Sequence, residues 1–341
     1  MSTRDGKRPT LKDVAALAGV DASLVSRVVS NDPGISIPDS TRQRVLDAVA
    51  AVNYRPSATA RGLRTQKLST LGLIIPDLTN PVYAPIAQGA QARAAEAGFA
   101  LLLASDTEGP SRRAAHDLVR LLAEDRVDGL LVASGSNNDE LLDMLTDVGK
   151  PVVLVNRAIT GIPSSTVDDV AGARLATRYL SERGHTAIAH LGGPVGVDTT
   201  TRRQSGFDQA IAEIDGARPP VTVNAANWGA AEGYRAGLEL LSDRNGATAV
   251  FAANVTLAIG LYRAAHEQGL VIPDDLSIVA LHDYDLAAML VPSLTTVAMP
   301  LYELGVLAVE QLLDLLDGGP PGNRVVTSPP VLVERNSVTG H

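Results

Sequence analysis

Ala22, Ser23, Leu24, Ser26, Arg27 and Ser30 set short, mostly polar side chains around one long cation. A guanidinium can donate two parallel hydrogen bonds to the O6 and N7 acceptors of guanine, and small hydroxyls can reach either base edges or phosphates. For that chemistry the six residues must share the outward face of a short helix that fits a major groove. The residues around them supply such an element. Leu11, Val14, Ala15 and Ala18 recur at i, i+3, i+4 and i+7, which predicts one buried helical face. Gly19 tolerates the positive φ that ends a helix and opens a turn. Asp21 is a suitable N-cap for a second helix with Val25 and Val28 turned inward. Ala15 is small where the two helices must cross closely. A plain helical hairpin inside a core is the alternative, but it does not explain a small residue, a glycine and a valine together at helix-turn-helix spacing.

Charge distribution points the same way. The 341-residue chain has a net charge of −9, which taken alone argues against nucleic acid. Residues 1–67, however, hold eleven Lys and Arg against six Asp, net +5, and the remainder holds eighteen basic against thirty-two acidic residues, net −14. A basic head on an acidic body is the footprint of a DNA-binding module carried by a soluble regulatory part. Hydrophobic residues make up 45% and aromatic residues only 3%, so the core must be built from Ala, Val, Leu and Ile. The absence of cysteine excludes disulfides, thiolate metal sites and cysteine nucleophiles, and it fits a reducing cytosol. The N-terminus leads into no apolar stretch and no apolar run is long enough to span a bilayer, so the sequence predicts a cytoplasmic protein without a secretory signal or membrane partner.

Further along, Pro38-Asp39-Ser40 predicts the start of a third helix with Val45, Ala48, Val49 and Val52 inward, stopped by Asn53-Tyr54-Arg55-Pro56. Residues 57–64 can form two helical turns with Ala60 and Leu63 on one side. This segment is too short to be stable alone, so it reads either as a helix that folds on DNA or as a plain linker. From residue 69 the pattern becomes βαβα. Short apolar runs begin at Leu71, Phe99, Val127 and Val152, with helices at 82–97 and 111–124 between them. A second series has strands at Ile188, Val221, Ala249 and Ser277 and helices at 169–183, 200–214, 229–242 and 255–268. A last helix at 300–317 and a strand at 331–334 return the chain across the two halves. Continuous apolar runs predict parallel strands buried on both faces. The expected fold is therefore an all-α helix-turn-helix headpiece (1–56), a hinge (57–68) and an α/β core (69–341) of two doubly wound parallel-sheet subdomains. These span about 69–163 with 297–325, and about 164–296 with 326–341. Ligands in such sheets bind beyond the carboxyl ends of the strands.

The chain resembles the lac-repressor (LacI) family of bacterial transcription regulators. The resemblance rests on Thr-Leu-Lys-Asp-Val-Ala at 10–15, Val-Ser-Arg-Val-Val at 25–29, Asn-Tyr-Arg-Pro at 53–56 and Ala-Arg-Gly-Leu-Arg at 60–64. It continues through Gly-Leu-Ile-Ile-Pro-Asp-Leu-Thr-Asn-Pro at 72–81, Asp-Gly-Leu-Leu-Val at 128–132, Gly-Gly-Pro at 192–194, Pro-Asp-Asp-Leu-Ser-Ile-Val at 273–279 and Pro-Ser-Leu-Thr-Thr-Val at 292–297. It implies a periplasmic-binding-protein-like core, a homodimer on near-palindromic operator DNA, a small-molecule effector between the core halves and no cofactor or bound metal. It further implies that Ala22, Ser23 and Arg27 read bases and that Thr10 and Tyr54 contact the DNA backbone. Leu63 would wedge a base step open beside Ala60. Leu11, Leu24 and Ser30 complete the candidate DNA-facing set. Leu24 stands where a threonine is usual in the family, and the loop from Asn31 to Pro38 is slightly longer.

For the effector, the resemblance singles out Tyr83, Asn156, Arg203, Trp228, Asn254 and His282. Each also has an ordinary structural reading. Asn156 could simply end a strand, Trp228 could be a half-buried core aromatic, and His282 could be a satisfied core histidine. Val255 and His282 replace carboxylates common in the family, and carboxylates suit sugars because they accept hydrogen bonds from paired hydroxyls. The expectation is a ligand other than a neutral sugar, anionic or aromatic. Two other functions would use parts of this pattern. A transport-type sugar-binding protein would lack the headpiece. An α/β enzyme could draw on His185, His190, Asp168 and Asp169, yet the chain has no Gly-x-Gly-x-x-Gly after a strand, no P-loop and no nucleophile elbow.

Overall fold

A computed structural model describes residues 9–29, 34–54, 69–105, 110–133, 145, 149–243 and 246–340. The chain divides into two compact units, Met1–Leu68 and Ser69–His341. Ser30, Ala60 and Leu63, and with them the hinge, lie outside the described residues.

In the first unit the helices are α1 (Leu11–Ala18), α2 (Ala22–Val29) and α3 (Asp39–Ala51). Gly19 takes φ +64° and lets Val20 N–H reach back to Ala15 O at 3.1 Å, which closes the end of α1. Asp21 accepts from Ser23 N–H at 2.7 Å and so caps α2. Arg44, on α3, donates to the free carbonyl of Ala18 at 2.9 Å and ties α3 to the end of α1. The small core is Val14, Ala15, Ala18, Val25, Val28, Val45 and Ala48, with Val49 and Val52 packed at its edge. Full burial of a valine stabilises by about 1.5–3 kcal/mol, so Val14, Val25 and Val45, each fully buried, dominate this core.

The second unit holds two sheets. Its elements in order are β1 (Thr70–Ile75), α4 (Tyr83–Glu96), β2 (Ala100–Ser105), α5 (Pro110–Ala123), β3 (Gly129–Val132), β4 (Val152–Val155), β5 (Ser164–Thr166), α6 (Asp169–Glu182), β6 (Ile188–Gly192), α7 (Asp198–Ala212), β7 (Thr222–Asn224), α8 (Ala230–Ser242), β8 (Ala249–Ala252), α9 (Val255–Glu267), β9 (Ser277–Leu281), α10 (Asp285–Met289), β10 (Thr295–Ala298), α11 (Leu301–Leu316), β11 (Asn323–Val325) and β12 (Val331–Val333). The strand orders are β11-β5-β4-β3-β1-β2 and β12-β10-β9-β8-β6-β7. Among the named strands, all pairings are parallel except β10 with β12. The two sheets thus repeat one doubly wound order. The chain leaves the first sheet after β5, returns after β10 and crosses again after β11, a few residues beyond the boundaries expected near 164 and 297.

Helices α4 and α11 cover the first sheet and touch through glycines. A Cβ at Gly89 would lie 2.0 Å from Tyr302 O, and one at Gly305 would lie 2.1 Å from Ile86 O. Two departures from the sequence pattern are instructive. Strand β2, expected to be buried on both faces, is the sheet edge, and it leaves Leu102 and Leu103 exposed in the single chain. Strand β5 is polar yet buried, because Ser164 Oγ bonds Asn323 Oδ1 at 3.0 Å and Ser165 Oγ donates to Gln311 Oε1 at 2.6 Å. Neither partner is near in sequence, so no local pattern announces the strand.

Candidate functional site

Helix α2 buries Val25 and Val28 and turns Ser23 and Arg27 to solvent, with Ala22 and Leu24 half-buried beside them. Of the outward set expected from sequence, Ser23 and Arg27 are exposed and Ala22 packs at the edge of the core, while Ser30 lies outside the described residues. Arg27 Nη2 donates to Gly34 O at 3.4 Å, a long bond. At the start of α1, the Thr10 N–H and hydroxyl both donate to Asp13 Oδ2 at 2.7 Å. Leu11 and Tyr54 are half-buried and pack against the headpiece core, so both also carry part of its packing.

In the second unit, Tyr83, Asn156, Arg203, Trp228, Asn254 and His282 all line one cavity, together with Asn80, Val82 and Thr199. Each stands just beyond a strand's carboxyl end or on the helix that follows. The cavity measures about 20 Å³, room for about one water molecule. Its walls are held shut by their own polar groups. Arg203, on α7, donates from Nε to Asp169 Oδ1 at 2.8 Å and from Nη1 to Ala253 O at 2.9 Å. Its guanidinium carbon also sits 5.1 Å from the centre of the Trp228 ring. Arg202 shares the same carboxylate, with Nη2 on Asp169 Oδ2 at 2.7 Å.

Asp169 is fully buried. Burial pushes its carboxyl up, but Arg203 and Arg202 outweigh burial and hold it below the usual carboxylate range. Arg202 also pairs with Asp198, and Asp198 accepts from Ala158 N–H at 2.9 Å. This links α7 to the chain leaving β4. Asn254 is largely consumed by structure. Its Oδ1 caps α9 by accepting from Leu257 N–H at 2.7 Å, and its Nδ2 donates to Trp228 O at 3.4 Å. Thr256 Oγ1 donates to the same carbonyl at 2.5 Å. Trp228 lies so close to Gly193 that a Cβ there would meet the indole at 2.1 Å. It is both core and wall.

Asn156 and His282 take left-handed φ of +61° and +70°. Such backbone is uncommon away from glycine, and its clustering at a cleft marks a site. Burial, then Arg203, lowers the His282 imidazole to about 3 against the pull of Asp169, so the ring is neutral. Burial pushes the Tyr83 phenol up to about 12, against Arg203 and Arg157.

Residues 10–57 match the family model described as bacterial regulatory proteins, lacI family, and residues 177–338 match the periplasmic binding protein-like domain. The HTH-type transcriptional repressor PurR of Vibrio cholerae serotype O1 (strain M66-2) is 33% identical over 337 residues, 96% of this chain and 98% of that protein. The chain belongs to the LacI family. A second relative, the ribose operon repressor of Escherichia coli (strain K12), is 32% identical over 333 residues, 96% of this chain and 99% of that protein. Among solved structures, the lac repressor dimer bound to operator and the anti-inducer ONPF matches with a TM-score of 0.82 and 27% identity, over 98% of this chain and all of that one.

As a LacI-family member the chain is a DNA-binding transcriptional regulator with a periplasmic-binding-protein-like core, and the relatives named here are repressors rather than enzymes. The groups weighed for an enzyme have other tasks. His185 bonds Thr248 Oγ1 at 2.7 Å and Thr339 O at 3.2 Å. His190 stacks against both Phe207 and Phe251, with Nδ1 on Gln204 Oε1 at 2.8 Å. Asp168 caps α6 through Ala171 N–H at 2.8 Å. Asp169 belongs to the cleft, where sequence reasoning had not put it. Its partner Arg203 lies 34 residues on, beyond any local pattern. Among the described residues, no helix is long and apolar enough to cross a membrane.

Proposed function

We propose that this LacI-family protein is a dimeric, cytoplasmic repressor that reads a near-palindromic operator and is controlled by a small molecule in the cleft of residues 69–341. Ala22, Ser23, Leu24, Arg27 and Ser30 face the major groove, and Thr10, Leu11 and Tyr54 fix the headpiece on the DNA backbone. Ala60 and Leu63 enter the minor groove. Tyr83, Asn156, Arg203, Trp228, Asn254 and His282 form the effector site, and the protein performs no catalysis of its own. One observation carries the effector reading: six residues from six separate segments converge on one cavity beyond the strand ends. The match to the lac repressor in complex with operator and anti-inducer supports the division of labour.

Entry of a ligand requires the cleft to open, since about 20 Å³ admits no organic molecule. Part of the ligand's binding energy is therefore spent on separating Arg203 from Trp228, which makes the closed and liganded forms two distinct states. The test uses the full chain and a panel of sugars, nucleosides, purines and organic acids. Compounds that bind should raise the melting temperature by mass action and shift the emission of Trp228, the chain's single tryptophan. They should also change DNA affinity. A panel that changes DNA affinity with no effect on Trp228 would refute the cleft as the effector site.

A further inference from the structure

The cleft contains a buried hydrogen-bond donor with nothing to bond to. His282 is 1% exposed and its Nε2 lies 3.3 Å from Arg203 Nη2. A guanidinium can only donate. The imidazole Nε2 must therefore accept and carry no proton. Because the ring is neutral, its one proton sits on Nδ1. That atom is buried and has no partner. Across the same cavity, Asn156 is 7% exposed and its Oδ1 is also buried without a partner. Unpaired buried polar atoms each cost stability, and a ligand that satisfies them recovers that cost on binding.

Resting on the reading of the cleft as an effector site, we infer that His282 selects the ligand by donating from Nδ1 to a carbonyl, carboxylate or ring-nitrogen acceptor, while Asn156 receives an N–H or O–H of the same molecule. A carboxylate in the place of His282 would do the reverse. It would accept from hydroxyls and repel an acceptor's lone pairs. The ligand class is therefore set by an acceptor-bearing, planar group rather than by a run of hydroxyls. Trp228 offers that plane a face once Arg203 moves aside.

The backbone makes the test clean. At φ +70°, Asp and Asn are the side chains best tolerated after glycine, so His282→Asp and His282→Asn both suit the local conformation. The asparagine amide can place a donor where Nδ1–H stands, and the aspartate cannot. The first measurement is ¹⁵N NMR of the histidine-labelled full chain without ligand, with His282→Asn to assign the signal. An Nδ1–H tautomer is expected, and an Nε2–H tautomer overturns the inference. The second is binding of D-ribose and D-ribono-1,4-lactone, followed by Trp228 emission. The two share a carbon skeleton, and the lactone carries the carbonyl. The native protein and His282→Asn should prefer the lactone at least tenfold, and His282→Asp should erase or reverse that preference. Equal or better binding of ribose by the native protein, or a preference indifferent to His282→Asp, overturns the selectivity and leaves the cleft reading standing. If neither these two probes nor the wider panel moves Trp228 in any variant, the cleft reading itself falls and takes this inference with it.

Discussion

The outer face of α2 and the cleft of the second unit are both polar, and they manage polarity in opposite ways. On α2, Ser23 and Arg27 are exposed to water, and Arg27 reaches Gly34 O through a long contact. In the cleft, Arg203, Asp169, Asn254 and Trp228 bond to one another and leave space for about one water molecule. The first surface already lies open to water. On the proposed reading, a ligand entering the second exchanges existing contacts for new ones, and that exchange would let it alter the protein's state. Substitutions on α2 should therefore change DNA binding with little effect on stability, whereas substitutions in the cleft should change stability first.

The largest effect expected comes from pH acting on buried imidazoles. His282 and His190 are held down to about 3 and about 4, chiefly by burial, against 6.5 in the unfolded chain. Below pH 6.5 the unfolded chain takes up protons that the folded chain refuses, so stability falls as pH falls toward 4. With both histidines involved, the slope should approach about 2.7 kcal/mol per pH unit near pH 5. Asp169 is silent in this window, because its lowered carboxyl gives up its contribution only at more acid pH. Urea unfolding between pH 7 and 5 measures the slope, and His282→Asn should roughly halve it. Next in size, Asp169→Asn leaves Arg203 buried without a carboxylate and should cost about 3–5 kcal/mol of unfolding free energy. Arg202 keeps Asp198 in that variant and should soften the loss only slightly. Denaturant melts of residues in the second unit would reveal it, and a cost below about 1 kcal/mol would mean the cleft does not depend on that carboxylate.

On the other side of the comparison, Arg27→Ala should weaken operator binding by about 1–3 kcal/mol while the melting temperature stays unchanged. Equal losses on operator and on random DNA would reassign Arg27 to phosphate contact. The smallest effect belongs to the cap. Asp21→Ala removes the bond to Ser23 N–H and should loosen the start of α2, seen as faster amide exchange along α2 with none in the second unit.

Much of this contrast was readable from sequence, and the unread part has physical causes. Helices with a periodic apolar face and strands such as Val152–Val155 announce themselves because burial selects their residues locally. The six cleft residues were found through the family resemblance. Their convergence depends on strand order, which local pattern does not encode. Strand β5 was hidden because its hydroxyls are satisfied by Gln311 and Asn323, from elements far along the chain. The five-residue helix α10 is shorter than any periodic signal. Strand β10, with Thr295 and Thr296 buried, again owes its place to partners supplied by the C-terminal segment. From sequence, Asp169 stands only as an acid/base group of the enzyme alternative, because only the fold brings it against Arg202 and Arg203.

The claim that the cleft is a closed site whose opening controls DNA binding can be tested by one titration. Trp228 emission and DNA affinity are followed together on the full chain as a compound from the panel is added. Because Trp228 packs against Arg203 in the closed cleft, opening would change its surroundings, and the two signals should change over the same concentration range and share one midpoint. A compound that alters DNA affinity while Trp228 emission stays flat would contradict the account.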